Sequence, residues 1–135
     1  MKIFLTILVL FIIVDILIVV YVVYRRAHRR LSEKGIQEIQ ESWKEIIRQK
    51  DMRHALLEAD KLLDHALYQL GYRGNLGTKL KKSSALFGSS INRVWAAHKV
   101  RNNIAHQMNY QVDEKIYRSA MLAFKEAFKC LKIFQ

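Results

Sequence analysis

The sequence predicts an all-α fold in which one membrane-spanning helix precedes a small helical domain, and three observations lead there. The chain has no proline in 135 residues and is rich in Leu, Ala, Ile, Lys and Glu, the side chains that lose little on entering a helix. Its amino end carries one long apolar run. Beyond that run, apolar residues recur at three- and four-residue steps, the period of a helix with one buried face. Roughly 110 residues remain outside the membrane, enough for one modest core and too few for two. The expected organisation is an anchor over residues 1–24, a basic juxtamembrane segment with an amphipathic helix over 25–50, and a helical domain over 51–135.

From Ile3 to Tyr24 only Thr6 and Asp15 interrupt the apolar residues. As a helix this run extends about 33 Å, against a hydrocarbon core of about 30 Å, so its length suits a span. A cleaved signal has a shorter apolar stretch that ends in small residues. Here Val20-Tyr21-Val22-Val23-Tyr24 runs straight into Arg25 and Arg26, which favours a retained anchor. Arg25, Arg26, Arg29 and Arg30 follow the span while Lys2 precedes it, so the positive-inside bias places the carboxyl-terminal domain in the cytoplasm of a single-pass protein of the cell membrane. The four arginines serve topology and are candidate contacts to lipid or RNA phosphate. Tyr21 and Tyr24 suit the interfacial aromatic belt. Asp15, near mid-span, costs about 2.5 to 3.5 kcal/mol to insert. It is either a hydrogen-bonding link between two helices or a lone acid that a very apolar helix tolerates.

The next element is an amphipathic helix over residues 31–50, with Ile36, Ile39, Trp43, Ile46 and Ile47 on one face. Ser32 is placed to cap it, and Gly35 weakens its first turn. A second helix over 52–70 carries Leu56, Ala59, Leu63, Leu67 and Leu70 on one stripe and ends at Gly71. Residues 71–84 read as a loop, with glycines at 71, 74 and 77 and lysines at 79, 81 and 82. A phosphate cradle fails there, because Gly77-Thr78-Lys79 lacks the P-loop spacing and no strand precedes it. Lys79, Lys81 and Lys82 remain candidate contacts to RNA or lipid phosphate. A third helix is expected over 89–108. A fourth over 113–134 opens at Asp113 and buries Ile116, Ala120, Phe124, Ala127, Phe128 and Leu131.

The formal net charge of +11 lies outside the span, where Lys2 and Asp15 cancel. Such an excess attracts polyanions, either nucleic acid or the anionic face of a membrane. Cys130 has no partner in the chain for a disulfide, which points to a reducing compartment and a thiol that is at least partly buried. No metal-spaced Cys/His set is present, and no cofactor is implied. Trp43 and Trp95 read as packing anchors rather than base-stacking platforms, and His54 and His65 as surface residues, with His28 in the basic juxtamembrane patch.

The third helix carries an oddity. At 100° per residue Ile91, Val94, Ala97, Ile104, Ala105 and Met108 share one arc, and Arg101 falls in its middle. The second helix mirrors it, with Asp60 inside the stripe of Leu56, Leu63 and Leu67. Charged groups leave water only when paired, so Asp60 is expected to meet Arg101, or His98 one turn before it. His98, Asn102 and His106 stand four residues apart on one face beside Arg101. An imidazole can move a proton from a ribose 2′-hydroxyl while a guanidinium holds the phosphate, a pairing that suits metal-independent RNA cleavage. The same side chains also suit a plainer task, tying helices together.

Arg101-Asn102-Asn103-Ile104-Ala105-His106 resembles the signature of HEPN domains, an Arg followed by a polar residue and then a His after four to six positions. The spacing alone also occurs at Arg48 to His54 and at Arg93 to His98. The third match differs in its setting, with Asn directly after Arg and Trp95-Ala96-Ala97-His98-Lys99 before it. Leu57-Glu58-Ala59-Asp60-Lys61 and the last helix are similar to that family too, so the resemblance spans about 50–133. It implies a four-helix up-and-down bundle that forms a homodimer and brings two Arg/His pairs into one cleft. Active members are metal-independent endoribonucleases, and others bind RNA, nucleotides or proteins without turnover. By position, Arg101 would contact phosphate, Asn102 would support the site and His106 would be the general acid or base, with Asp60 and His98 behind them. An antitoxin-like protein is a further implied partner. Where some antitoxin-regulated relatives carry Tyr two residues after the His, this chain has Met108, with Tyr110 farther on.

Overall fold

A computed structural model of the protein describes residues 2–27 and 30–135, the side chains of residues 2 and 25–27 excepted. Among the described residues every regular element is helical. The chain divides after residue 30 into two compact units. The first is α1, Lys2–Ala27. Its segment Ile3–Tyr24 is 22 residues long, apolar enough to cross a membrane, and buried nowhere inside the protein. Arg29 and His28 lie outside the described residues.

The second unit holds α2 (Glu33–Arg48), α3 (Met52–Gln69), α4 (Leu76–Lys82), α5 (Ser84–Phe87), a single 3₁₀ turn (Gly88–Ser90), α6 (Ile91–His106) and α7 (Glu114–Cys130). Together they form a helical bundle around α3, which packs against α2, α6 and α7, while α6 also packs against α7. The amphipathic helix therefore belongs to this unit rather than to that of α1.

Local chemistry sets each boundary. The Ser32 hydroxyl accepts from the Gly35 amide at 3.1 Å and opens α2. Asp51 accepts from the Arg53 and His54 amides at 2.9 and 3.2 Å and opens α3. Asp113 accepts from the Ile116 amide at 2.7 Å and opens α7, so it stands just before the helix. Gly71 ends α3 at a φ of 85°, where the amides of Tyr72 and Gly71 close back on the carbonyls of Leu67 and Tyr68. The same closure ends α7, but there Lys132 takes the left-handed position at a φ of 60°.

The core is continuous. Leu56, Ala59, Leu63 and Leu67 of α3 are fully buried against Ile39 of α2, Val94 of α6 and Phe124 and Phe128 of α7. Trp43 meets Phe128 edge-on at 5.3 Å between ring centroids, which clamps α2 onto α7. Ile47, expected in the core, is half exposed, because it falls at the edge of the stripe that Ile39, Trp43 and Ile46 fill. Cys130 is partly buried, its thiol 3.9 Å from the Phe87 carbonyl.

Residues 71–84 are not a plain loop. Asn75 caps α4 by accepting from the Thr78 amide at 2.8 Å, and Leu76 and Leu80, four residues apart, bury the short helix against α3 and α6. The glycines masked this pair, since Gly77 sits inside the first turn of α4 rather than in a loop. The third long helix is shorter than expected. Residues 88–90 turn separately before it, and Met108 lies beyond its end, almost fully exposed.

Candidate functional site

Helices α3 and α6 face each other, and their two out-of-place charges meet. Asp60 is 3% exposed. Its Oδ1 accepts from His98 Nδ1 at 2.7 Å, and its Oδ2 lies 3.2 Å from Arg101 Nε. The second approach is an ion pair without hydrogen-bond alignment, since Nε finds no acceptor in line. One carboxylate thus holds both partners.

Two more contacts close the figure. Asn102 Nδ2 stands 3.3 Å from His98 Nε2, one turn apart on α6, and Arg101 Nη1 donates to Asn102 Oδ1 at 3.2 Å. The four residues form a ring in which His98 donates from Nδ1 to the carboxylate and accepts at Nε2 from the Asn102 amide. That assignment gives the His98 and Asn102 donors an acceptor each.

The ring forms one wall of a cleft of about 490 Å³, in the size range of a small-molecule site. Lys61 and Asp64 of α3 and Asn75, Leu76 and Gly77 at the start of α4 complete the lining, so the unexpected α4 supplies part of the site. The Arg101 side chain is 28% exposed, buried along its stem and open at its end. Among the described residues its Nη2 has no partner. A second hollow, on the far side of His98 and Asn102, is lined by Asn92, Trp95, Ala96 and Lys99.

His106 is not part of this gathering. It is the last residue of α6, exposed and off the cleft lining, because two further helical turns from His98 carry it past the rim. Arg53 fixes that end of α6 by donating to the carbonyls of Ile104 and Tyr110. Ala105, expected in the buried arc, is exposed beside His106.

Lys79 is also not where a phosphate contact would stand. It is 3% exposed, and its ammonium donates to Asp64 Oδ2 at 2.8 Å and to the Asp64 carbonyl at 3.1 Å. Adjacent to Leu80 on α4, it is carried inward with the helix, and a buried ammonium must be paired. Asp64 was readable as a partner from its place four residues after Asp60 on the same face of α3. Lys81 and Lys82 are exposed, Lys82 reaching the Arg73 carbonyl at 3.5 Å. Arg30 is exposed, while Arg29 and the side chains of Arg25 and Arg26 are outside the described residues. Trp95 is half-buried, edge-on to His98 at 5.9 Å. His54 and His65 lie on the surface, His65 beside Gln69.

Among the described residues no three His, Cys, Asp or Glu side chains gather as a metal site. Compared with family models, with curated proteins and with solved structures, the chain matches none.

Proposed function

We propose that this chain is a single-pass, membrane-anchored helical module of the HEPN type that holds the phosphate of an RNA or nucleotide at Arg101. In this reading α2, α3, α6 and α7 are the up-and-down bundle, α1 is the anchor, and the arginines after it keep the bundle in the cytoplasm. Support for the anchor is the 22-residue apolar stretch and the four arginines that follow it.

The observation that carries the ligand reading is the posture of Arg101. A buried carboxylate and a neighbouring amide fix its guanidinium, whose Nη2 has no partner among the described residues, and the side chain lines a cleft large enough for a nucleotide. A guanidinium held this way meets phosphate with little loss of freedom. The test is fluorescence anisotropy of a labelled single-stranded RNA with the full chain in neutral-lipid nanodiscs. Arg101→Ala should weaken binding by about tenfold or more, the loss of one charge-assisted contact. Equal affinity in the variant would remove the reading.

A second reading, cleavage, is favoured by one feature. His106 shares a helical face with Asn102 and is exposed together with Ala105 and Met108, so a second copy seated on this face would bring its own imidazole toward Arg101. The same incubation decides it: RNA shortened in the presence of EDTA, and intact with His106→Ala, supports the ribonuclease. Binding without shortening leaves the non-catalytic module.

A further inference from the structure

The outer face of α7 is charged in a way that neither the bundle nor the cleft uses. Lys115, Arg118, Leu122, Lys125 and Lys129 recur at three- and four-residue steps and fall within about 80° of arc, and Lys132 extends the row past the helix end. All six are exposed, Leu122 by 57%. The acids nearest the row are already engaged, Glu114 with Arg118 at 2.8 Å and Glu126 with Arg93 at 2.9 Å. Lys115, Lys125, Lys129 and Lys132 form no ion pair among the described residues. The solvent face of α2 is the contrast, since there Lys34, Glu38, Glu41, Lys44, Glu45 and Arg48 mix both signs. Lys132 adds a further sign. It keeps a long cation in a left-handed conformation that glycine adopts with less strain.

We propose that this face docks on the anionic surface of a lipid bilayer, with Leu122 entering the headgroup region between the cations. The row is about 25 Å long and of one sign, which matches an extended anionic plane. Its single apolar member is a large aliphatic, which gains by leaving water for lipid. A single-stranded nucleic acid would be met by aromatic platforms, and this row has none. The inference rests on the anchor reading, in which the chain is covalently attached to a bilayer through α1. Tethering of that kind lets a weak contact dominate, through high effective concentration.

The test uses the full chain with Cys130→Ser and Ser119→Cys, labelled at the new thiol with an environment-sensitive fluorophore. Ser119 is exposed on the flank of the row, and Leu122 is left in place. The chain is reconstituted into vesicles of phosphatidylcholine alone or with phosphatidylserine added. Docking predicts a blue shift only with the anionic lipid, reversed at high salt as screening shortens the field. Lys125→Gln with Lys129→Gln should lower the docked-to-free ratio roughly thirtyfold, each cation near such a surface being worth about fivefold. Equal emission from both vesicles overturns the proposal, as does a shift that appears only when RNA is added, which would make the row a nucleic-acid surface. If alkaline carbonate strips the chain from the vesicles, the anchor reading fails with it. If the chain resists stripping and the emission is indifferent to lipid charge, only the docking fails.

Discussion

Asp60 decides the local electrostatics of the bundle. It is buried at 3% exposure, and without it Arg101 and His98 would lose their common carboxylate partner. Removing one member of a buried pair costs about 3 kcal/mol or more, since the remaining charge keeps its desolvation penalty. Asp60→Ala should therefore lower the thermal midpoint of the bundle by roughly 10 to 20 °C, read by circular dichroism. Asp60→Asn, which keeps the shape and one acceptor, should cost less. A silent Asp60→Ala would mean that the carboxylate does not bind its neighbours in solution. This pairing was legible in the sequence, because an acid and a base that each interrupt an apolar stripe have few ways to leave water. Lys79 was not legible in the same way. Its neighbours are glycines, lysines and serines, and only the helix that Leu76 and Leu80 hold down turns it inward.

At the scale of elements, the long helices announce themselves through periodicity, and their caps at Ser32, Asp51 and Asp113 each satisfy an amide of the first turn. The helix ends and the short α4 are harder to read, because one buried leucine pair gives too little signal to outweigh three glycines. Periodicity also does not tell how far a helix runs. Met108 continues the α6 stripe in the sequence, yet the chain leaves the helix at His106 and the methionine stands in water. The placement of α2 carries its own prediction. Trp43 is buried against Phe128 and lies 6.3 Å from the Phe134 ring, so α2 is a structural part of the bundle. Trp43→Ala should destabilise the whole unit by about 3 to 5 kcal/mol and lower the denaturant midpoint without changing the number of transitions. A helix that only linked the membrane to an independent domain would lose its own signal and leave the rest intact.

At the scale of the molecule, charge and site are separated. Two acids that line the cleft are each paired, Asp60 with Arg101 and Asp64 with the buried Lys79, so opposite charges stand together. The surplus of the +11 chain lies elsewhere, on the arginines that follow the apolar stretch, on Lys81 and Lys82, and on the outer row of α7. That division suits the proposed module, in which the surface would be drawn to polyanions in general while one oriented guanidinium would select a phosphate. The candidate site was readable in part. Arg101, Asn102, Asp60 and His98 come together, and helical geometry takes His106 away from them within a single subunit. The most direct test of Arg101 is nuclear magnetic resonance of the arginine side chains of the full chain in micelles, assigned with Arg101→Lys, during titration with adenosine 5′-monophosphate. The guanidinium signal of Arg101 should move saturably while the other arginines stay in place. A stationary Arg101, or an equal drift of every arginine, would contradict the account.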